Sequence, residues 1–256
     1  MPLLSASRKA TTLSPPLPVQ NTVFARAGLV FRRGQFSLVG AAPGVGKTLF
    51  ATNLCIRTPV PSIYFSADSD EWTVKQRACS ILAGHPLTEV EKQLNDETWD
   101  AFYAGELRKA DHVDWCFQTD IDPEFIVQRL FAHAELRGDY PQLIVVDNLG
   151  NTVVDQDNEG SELRAVCREL QRIARATNAH VVGLCHVKGP KENGTQPILL
   201  GDLLYNIGKI PELVLGLHRE NDGLAVTVPK FRGGKHGMHI PVPLDYTRAT
   251  IGGFCQ

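Results

Sequence analysis

The sequence predicts an α/β domain built on a central, mostly parallel sheet, with helices on both faces and a C-terminal antiparallel hairpin extension. Three observations predict it. From about residue 29, short apolar runs alternate with amphipathic stretches, the pattern of a chain that winds from strand to helix and back. A loop rich in small residues joins the first apolar run to the first amphipathic stretch. Beyond residue 210 the pattern changes to short strands separated by Gly-containing turns, which suits an antiparallel edge on a larger sheet.

Taken in order, residues 1–25 contain Ser-Pro-Pro-Leu-Pro and read as an extended arm, because adjacent prolines remove backbone donors and block a helix. Residues 26–256 are expected to form the folded domain. Strands are predicted over 36–40, 62–66, 112–117, 142–147 and 179–185, and helices over 47–57, 71–83, 88–105, 122–136 and 160–177. Two loops rich in Gly, Pro and Asn interrupt the alternation at 149–160 and 187–201. The closing strands are predicted over 211–218, 223–229 and 238–243.

Composition sets outer bounds. The chain has 256 residues, 43% hydrophobic and 21% charged, enough for one large domain whose core needs no disulfides. Six cysteines show neither C-x-x-C pairs nor zinc-like spacing and read as buried thiols of a reducing, cytoplasmic setting. No apolar stretch has the length of a membrane span, and the N-terminus lacks an apolar segment with a small-residue cleavage site. The formal net charge is −2, so no global basic field marks a nucleic-acid binder, and any such site must be a local patch.

The loop between the first strand and helix is Ala41-Ala42-Pro43-Gly44-Val45-Gly46-Lys47-Thr48. Small residues there let backbone N–H groups wrap around phosphates, and the following helix presents the positive end of its dipole. The expected cradle is Ala42, Pro43, Gly44, Val45, Gly46, Lys47, Thr48 and Leu49, with Lys47 on the β- and γ-phosphates and the Thr48 hydroxyl on Mg²⁺. The first glycine of G-x-x-x-x-G-K-[ST] is Ala41 here, with Gly40 one place earlier; Ala fits if its φ is negative. A nucleoside triphosphate, ATP, is therefore the expected ligand.

Two acidic positions complement this loop. Leu143-Ile144-Val145-Val146-Asp147 is an apolar strand ending in a carboxylate, placed to hold Mg²⁺ together with Thr48. Asp68 follows the strand Ile63-Tyr64-Phe65-Ser66 and is a candidate to orient the attacking water, since ligands collect at the carboxyl ends of parallel strands. Alternatively Asp68, Ser69 or Asp70 caps the helix that follows, with Glu71 in its first turn.

The order of these pieces resembles the RecA-like motor domain of hexameric replicative helicases of the DnaB and RepA type, often encoded by phages and plasmids. The likeness runs from about Leu29 to Thr247. "RRGQFSLVGAAPGVGKTLFATNLC" looks like the family's phosphate-loop segment, "IYFSADSDEWTVKQRACSILAG" like the segment carrying its catalytic glutamate, and "LIVVDNLG" like its Walker B strand. The resemblance implies that Asp68, one methylene shorter than that glutamate, is the catalytic base. It also implies that His186, at the end of "ELQRIARATNAHVVGLCH", senses the γ-phosphate, with Lys188 nearby as in RepA-type ATPases. A histidine satisfied at a strand end is the plainer alternative. "VTVPKFRGGKHGMHIPVPLDYTRA" is similar to the family's terminal hairpin, which implies that Lys230 and Arg232 reach the neighbouring subunit's nucleotide. Alternate strand residues share a face, so both cations would project together, although a solvated basic hairpin has the same sequence.

The same resemblance implies a homo-oligomer, a hexameric ring or filament, with single-stranded DNA against the two loops. The 187–201 loop offers Lys188 and Lys191 for phosphate contacts, without aromatic residues for base stacking. The 149–160 loop is acidic through Asp155, Asp157 and Glu159, and reads as a surface turn capping the helix at 161 or as a divalent-metal site. The expected function is an ATP-dependent DNA helicase or translocase. The alternatives are a recombination or repair ATPase that does not unwind, a nuclease with a regulatory ATPase, and a small-molecule kinase. Replication or recombination proteins are the expected further partners. The arm is too short for the helical domain of DnaB-type helicases, so a minimal motor, possible in a phage, is expected in the bacterial cytoplasm.

Overall fold

The computed structural model describes residues 14–19, 22–95, 100–152, 158–188, 191 and 193–254. Its framework is an eight-stranded sheet. The strands are β1 (Phe36–Ala41), β2 (Ser62–Ser66), β3 (Val113–Phe117), β4 (Leu143–Asp147), β5 (His180–His186), β6 (Leu213–Glu220), β7 (Gly223–Phe231) and β8 (Met238–Val242), in spatial order β3-β2-β4-β5-β1-β6-β7-β8. All pairs from β3 to β6 are parallel, whereas β7 and β8 add on as antiparallel strands. The predicted mostly parallel sheet with an antiparallel C-terminal extension is therefore present. Every residue of β1, β2 and β4 is buried, as parallel strands covered on both faces require.

The helices are α1 (Val23–Arg26), α2 (Lys47–Arg57), α3 (Glu71–Ala83), α4 (Leu87–Leu94), α5 (Asp100–Leu107), α6 (Pro123–Arg137) and α7 (Glu159–Thr177). Local signals set their ends. Asp70 and Asp122 accept the backbone N–H groups of Thr73 and Phe125 at the N-caps of α3 and α6, and Gly84 and Gly138 close both helices in the left-handed region. Pro123 stands in the first turn of α6, where its missing donor costs nothing.

The structure corrects the long helix expected over 88–105. It is two helices, α4 and α5, because α4 ends at the Asn95 cap. Both pack on α3, where Cys79, Val90, Leu94 and Tyr103 form a small cluster beside the main core. Within the expected arm, residues 1–13 and 20–21 lie outside the described residues. Pro16 bridges to Arg32 and Leu17 is buried against the same chain, and the boundary expected after residue 25 falls inside α1. The five described cysteines are free and buried; Cys255 lies outside the described residues. No described helix is long and apolar enough to cross a membrane.

The join between β1 and the antiparallel extension is tight. The β6–β7 register shifts between Val214 and Gly216, and a Cβ on Gly216 would meet the Ile198 side chain and stand 2.7 Å from Thr227 Oγ1. Gly216→Ala therefore overpacks this joint and is expected to lower stability by about 1–3 kcal/mol in urea unfolding. A variant as stable as the parent contradicts this packing.

Candidate nucleotide-binding site

The parallel register brings the candidate side chains to one edge. Ala41, the last residue of β1, lies beside His186 at the end of β5, and Ser66 of β2 lies beside Asp147 of β4. Each chain segment then leaves its strand at the same level. The cleft that results, of about 410 Å³, is lined by Gly44, Gly46, Lys47, Thr48, Asp68, Asp147 and His186 among others.

The loop after β1 has the backbone the motif demands. Gly44 and Gly46 have φ values of 71° and 115°, a region closed to most side chains, and Gly46 is the N-cap of α2. Ala41 is not among the residues with positive φ, which meets the condition under which it can replace the motif's first glycine. Gly40 is small for a different reason, since a Cβ there would stand 2.6 Å from Leu203. Outside the loop, Arg219 on β6 donates from Nη2 to the Gly44 carbonyl at 2.8 Å, and a Cβ on Gly194 would run into Val45. The loop is thus held by β6 and by the 187–201 segment.

Lys47 is buried, with Nζ 3.2 Å from the Ala41 carbonyl and 3.2 Å from His186 Nδ1. Burial pushes its pKa down, opposed by Cys185, Asp147 and Asp68. His186 also titrates below its ordinary value, through burial and then the Lys47 charge. It is therefore neutral near pH 7. Because an ammonium can only donate, Nδ1 accepts from Lys47 and the ring proton resides on Nε2, free to donate.

Asp147 is buried at the tip of β4 and accepts from the Tyr64 hydroxyl at 2.8 Å and from Thr48. Burial raises its pKa, while the Tyr64 and Thr48 hydrogen bonds and the Lys47 charge pull it down. A carboxylate and a hydroxyl side by side are hard oxygen donors of the type Mg²⁺ takes, and their partial desolvation leaves a charge for the cation to neutralise. Asp68 accepts from Asn148 Nδ2 at 2.5 Å, and Asn148 Oδ1 accepts from the Gly150 N–H at 2.6 Å. The carboxylate cluster after β2 divides its labour: Asp70 caps α3, and Asp68 faces the cleft.

The other expected positions lie elsewhere. Lys230 and Arg232 do not line this cleft. Lys230 pairs with Val214, and Nζ donates to the carbonyls of Gly208 and Lys209 at 3.1 and 2.6 Å. Burial and then Arg232 bring its pKa down to about 8. The Arg232 N–H bonds Glu212, which in turn bonds Phe36 at the start of β1. That level is five residues from the Ala41 end, about 17 Å along the strand. Lys188 follows a bridge between Val187 and Leu203, and Lys191 donates to the Pro197 carbonyl and pairs with Asp202 at 3.7 Å. Asp155 and Asp157 lie outside the described residues. Glu159 starts α7, one residue before the expected start, and accepts from Tyr205.

Several cleft residues escaped sequence reasoning. Tyr246, 48% exposed, and Ala249 arrive from the C-terminal tail because buried Asn53 on α2 bonds the Ala249 carbonyl and the Ile251 N–H. Arg77 comes from α3. Asn148 carried a signal, a polar residue directly after the strand-end Asp. Nothing in the sequence pointed to Arg219 or Asn53.

Residues 12–192 match the family described as AAA domain. The chain belongs to that family. It is 37% identical over 230 residues to the gene 65 protein of Mycobacterium phage L5, covering 86% of this chain and 85% of the relative. The gene 65 protein of Mycobacterium phage D29 is 38% identical over 208 residues, covering 77% and 88%. Replicative DNA helicase DnaB of Treponema pallidum is 28% identical over 234 residues, and the chain spans 52% of its length. Among solved structures, the ATPase domain of G40P superposes with a TM-score of 0.77 at 15% identity, covering 97% of this chain and 95% of that one. A DnaB-like replicative helicase studied with primase gives 0.78 at 14%, and the chain spans 64% of it. The fold is that of a DnaB-type, RecA-like helicase ATPase domain.

The Asp147 shift has a signed consequence. With its folded pKa raised, the stabilising contribution of this group is complete below the unfolded value and is lost as pH rises through the folded one. At neutral pH the bare carboxylate is a burden that a cation relieves. Asp147→Asn is expected to raise the melting temperature of the nucleotide-free protein while lowering Mg²⁺-dependent hydrolysis by roughly 10²-fold or more. Differential scanning calorimetry and a phosphate-release assay measure the two; a lower melting temperature contradicts the electrostatic account.

Proposed function

We propose that this protein is the ATP-driven motor of a DNA helicase or translocase of the DnaB/RepA kind, hydrolysing ATP with Mg²⁺ at interfaces between subunits and moving on single-stranded DNA. The observation that carries this reading is the division of the machinery. Lys47, Thr48, Asp68, Asp147 and His186 share one cleft, while Lys230 and Arg232 lie two strands over, level with Leu38 and Phe36 rather than with the Ala41 end of β1. Lys230 and Arg232 can therefore stabilise a transferring phosphoryl group only on the nucleotide of a second copy. The relatives in phages and the helicase-type fold support the same reading, with the work done in the host cytoplasm beside replication or recombination proteins.

In this mechanism the loop amides and Lys47 hold the triphosphate, and Mg²⁺ is held through Thr48 and Asp147. Tyr246 offers a flat wall for the base. Asp68 orients the attacking water and accepts its proton, and His186 donates from Nε2 to the γ-phosphate or that water. Asn148 ties Asp68 to the segment after β4, and Gly194 touches Val45, so both expected DNA loops begin within reach of the nucleotide. Lys188 and Lys191 supply phosphate contacts, for which Lys191 exchanges Asp202 for DNA. Binding therefore weakens steeply with salt.

ATPase activity is expected to rise on adding single-stranded DNA, and Arg232→Ala to lower kcat by roughly 10³-fold. Mixing inactive Lys47→Ala with inactive Arg232→Ala chains restores activity if the finger acts in trans, since some interfaces then carry both intact halves. A mixture no more active than its components overturns the trans assignment. Strand displacement on a forked duplex separates a helicase from a recombinase that leaves the duplex closed.

A further inference from the structure

Outside the nucleotide cleft, β6 and β8 bring two histidines and a glutamate together across the strand between them. His218 and Glu220 alternate on β6, so they share a face. His218 pairs with Ala225 and Glu220 with Gly223 on β7, and His239 on β8 pairs with Thr227, which puts all three side chains on the same side of the sheet. Strands two apart are about 9.6 Å apart, a gap that side chains normally fill from the middle strand. Here the middle strand offers Gly223 and Ala225 opposite Glu220 and His218, and the flanking side chains close over it. The two imidazole centroids are 5.6 Å apart, His239 Nε2 is 2.9 Å from Glu220 Oε2, and one donor atom from each of the three residues lies within 4.8 Å of the others.

A second observation singles out His218. It is 2% exposed, and its Nδ1 is enclosed without a hydrogen-bond partner among the described residues. A buried polar nitrogen left unmatched costs free energy, and a ligand that reached it would remove that cost. We propose that His218, Glu220 and His239 form a binding site for one divalent transition-metal ion of the zinc class, with water in the remaining position. Two imidazoles and one carboxylate are a borderline N/O donor set, which favours zinc or its neighbours over Mg²⁺. Bonds of about 2.0–2.1 Å put tetrahedral donors about 3.4 Å apart, so modest side-chain rotation completes the geometry. His239 and Glu220 are both about two-fifths exposed and free to make it.

The surrounding charges allow the ion. The opposing charge that acts on His218 besides His239 is Lys191, which is paired with Asp202. None of the three ligands lines the nucleotide cleft, so this ion is separate from the one expected on Thr48 and Asp147. The site has a structural consequence. Arg219, between His218 and Glu220, projects to the other face and holds the Gly44 carbonyl. A metal fixing β6 to β8 fixes the strand tip from which Arg219 reaches the phosphate loop.

The test is zinc titration of the chelator-treated full chain in competition with a chromogenic chelator, without nucleotide. One ion per chain is expected, with His239→Ala, an exposed position that preserves the fold, weakening binding at least about tenfold. His218→Ala should do the same, and zinc should raise the melting temperature of the parent but not of His239→Ala. Cobalt substitution should give a nitrogen/oxygen spectrum without a thiolate charge-transfer band. Absence of stoichiometric uptake by the folded parent overturns the proposal. So does uptake unchanged in the His218→Ala/His239→Ala double variant, which would assign the metal to cysteines.

Discussion

The shared ending of four parallel strands is the constraint on which everything else depends. Because β1, β2, β4 and β5 run the same way and in register, the chain leaves each of them at one edge, and Lys47, Asp68, Asp147 and His186 meet there. A slip of one residue in any pairing would turn that strand's side chains to the opposite face. Fully buried apolar strands prevent such a slip, since every residue is committed to packing. The geometry of the cleft is therefore a by-product of core formation, with Gly44 and Gly46 where the backbone must turn and Gly40 where Leu203 comes close.

The cleft works against the stability of the fold that builds it. Lys47 and Asp147 are both charged groups pulled out of water, and each titrates in the direction burial dictates. Their mutual attraction, with Tyr64, Thr48 and His186 as hydrogen-bonding neighbours, compensates only in part. In the proposed mechanism a triphosphate with its cation would supply the missing partners to both. The remaining connections tie the cleft to its surroundings: Asn148 joins Asp68 to the segment after β4, and Arg219 joins the phosphate loop to β6.

Local chemistry was legible in the sequence wherever it was written in consecutive residues. The phosphate loop, the strand ending in Asp147 and the helices 47–57 and 71–83 follow from apolar period, caps and small residues, and the structure has the same helix bounds. The role of Asp68 against Asp70 could not be separated from spacing alone, because both are acidic and only one meets the Thr73 N–H. The division of 88–105 was missed because the apolar period continues across the Asn95 break. Arg219, Asn53 and Tyr246 were invisible for another reason: each comes together with residues far along the chain, and no periodicity encodes such a meeting. The metal cluster across β6 and β8 belongs to the same class, since it requires the antiparallel register as well as the residue types.

The proposed motor requires one site that takes magnesium and a triphosphate together. Isothermal titration of ATP into the full chain, with and without Mg²⁺, measures this directly. One nucleotide bound per chain, tighter with the cation and lost in Lys47→Ala while the variant stays folded, is the expected result. A folded parent protein that takes up no ATP in magnesium buffer, or binds it equally well after Lys47→Ala, would contradict the account.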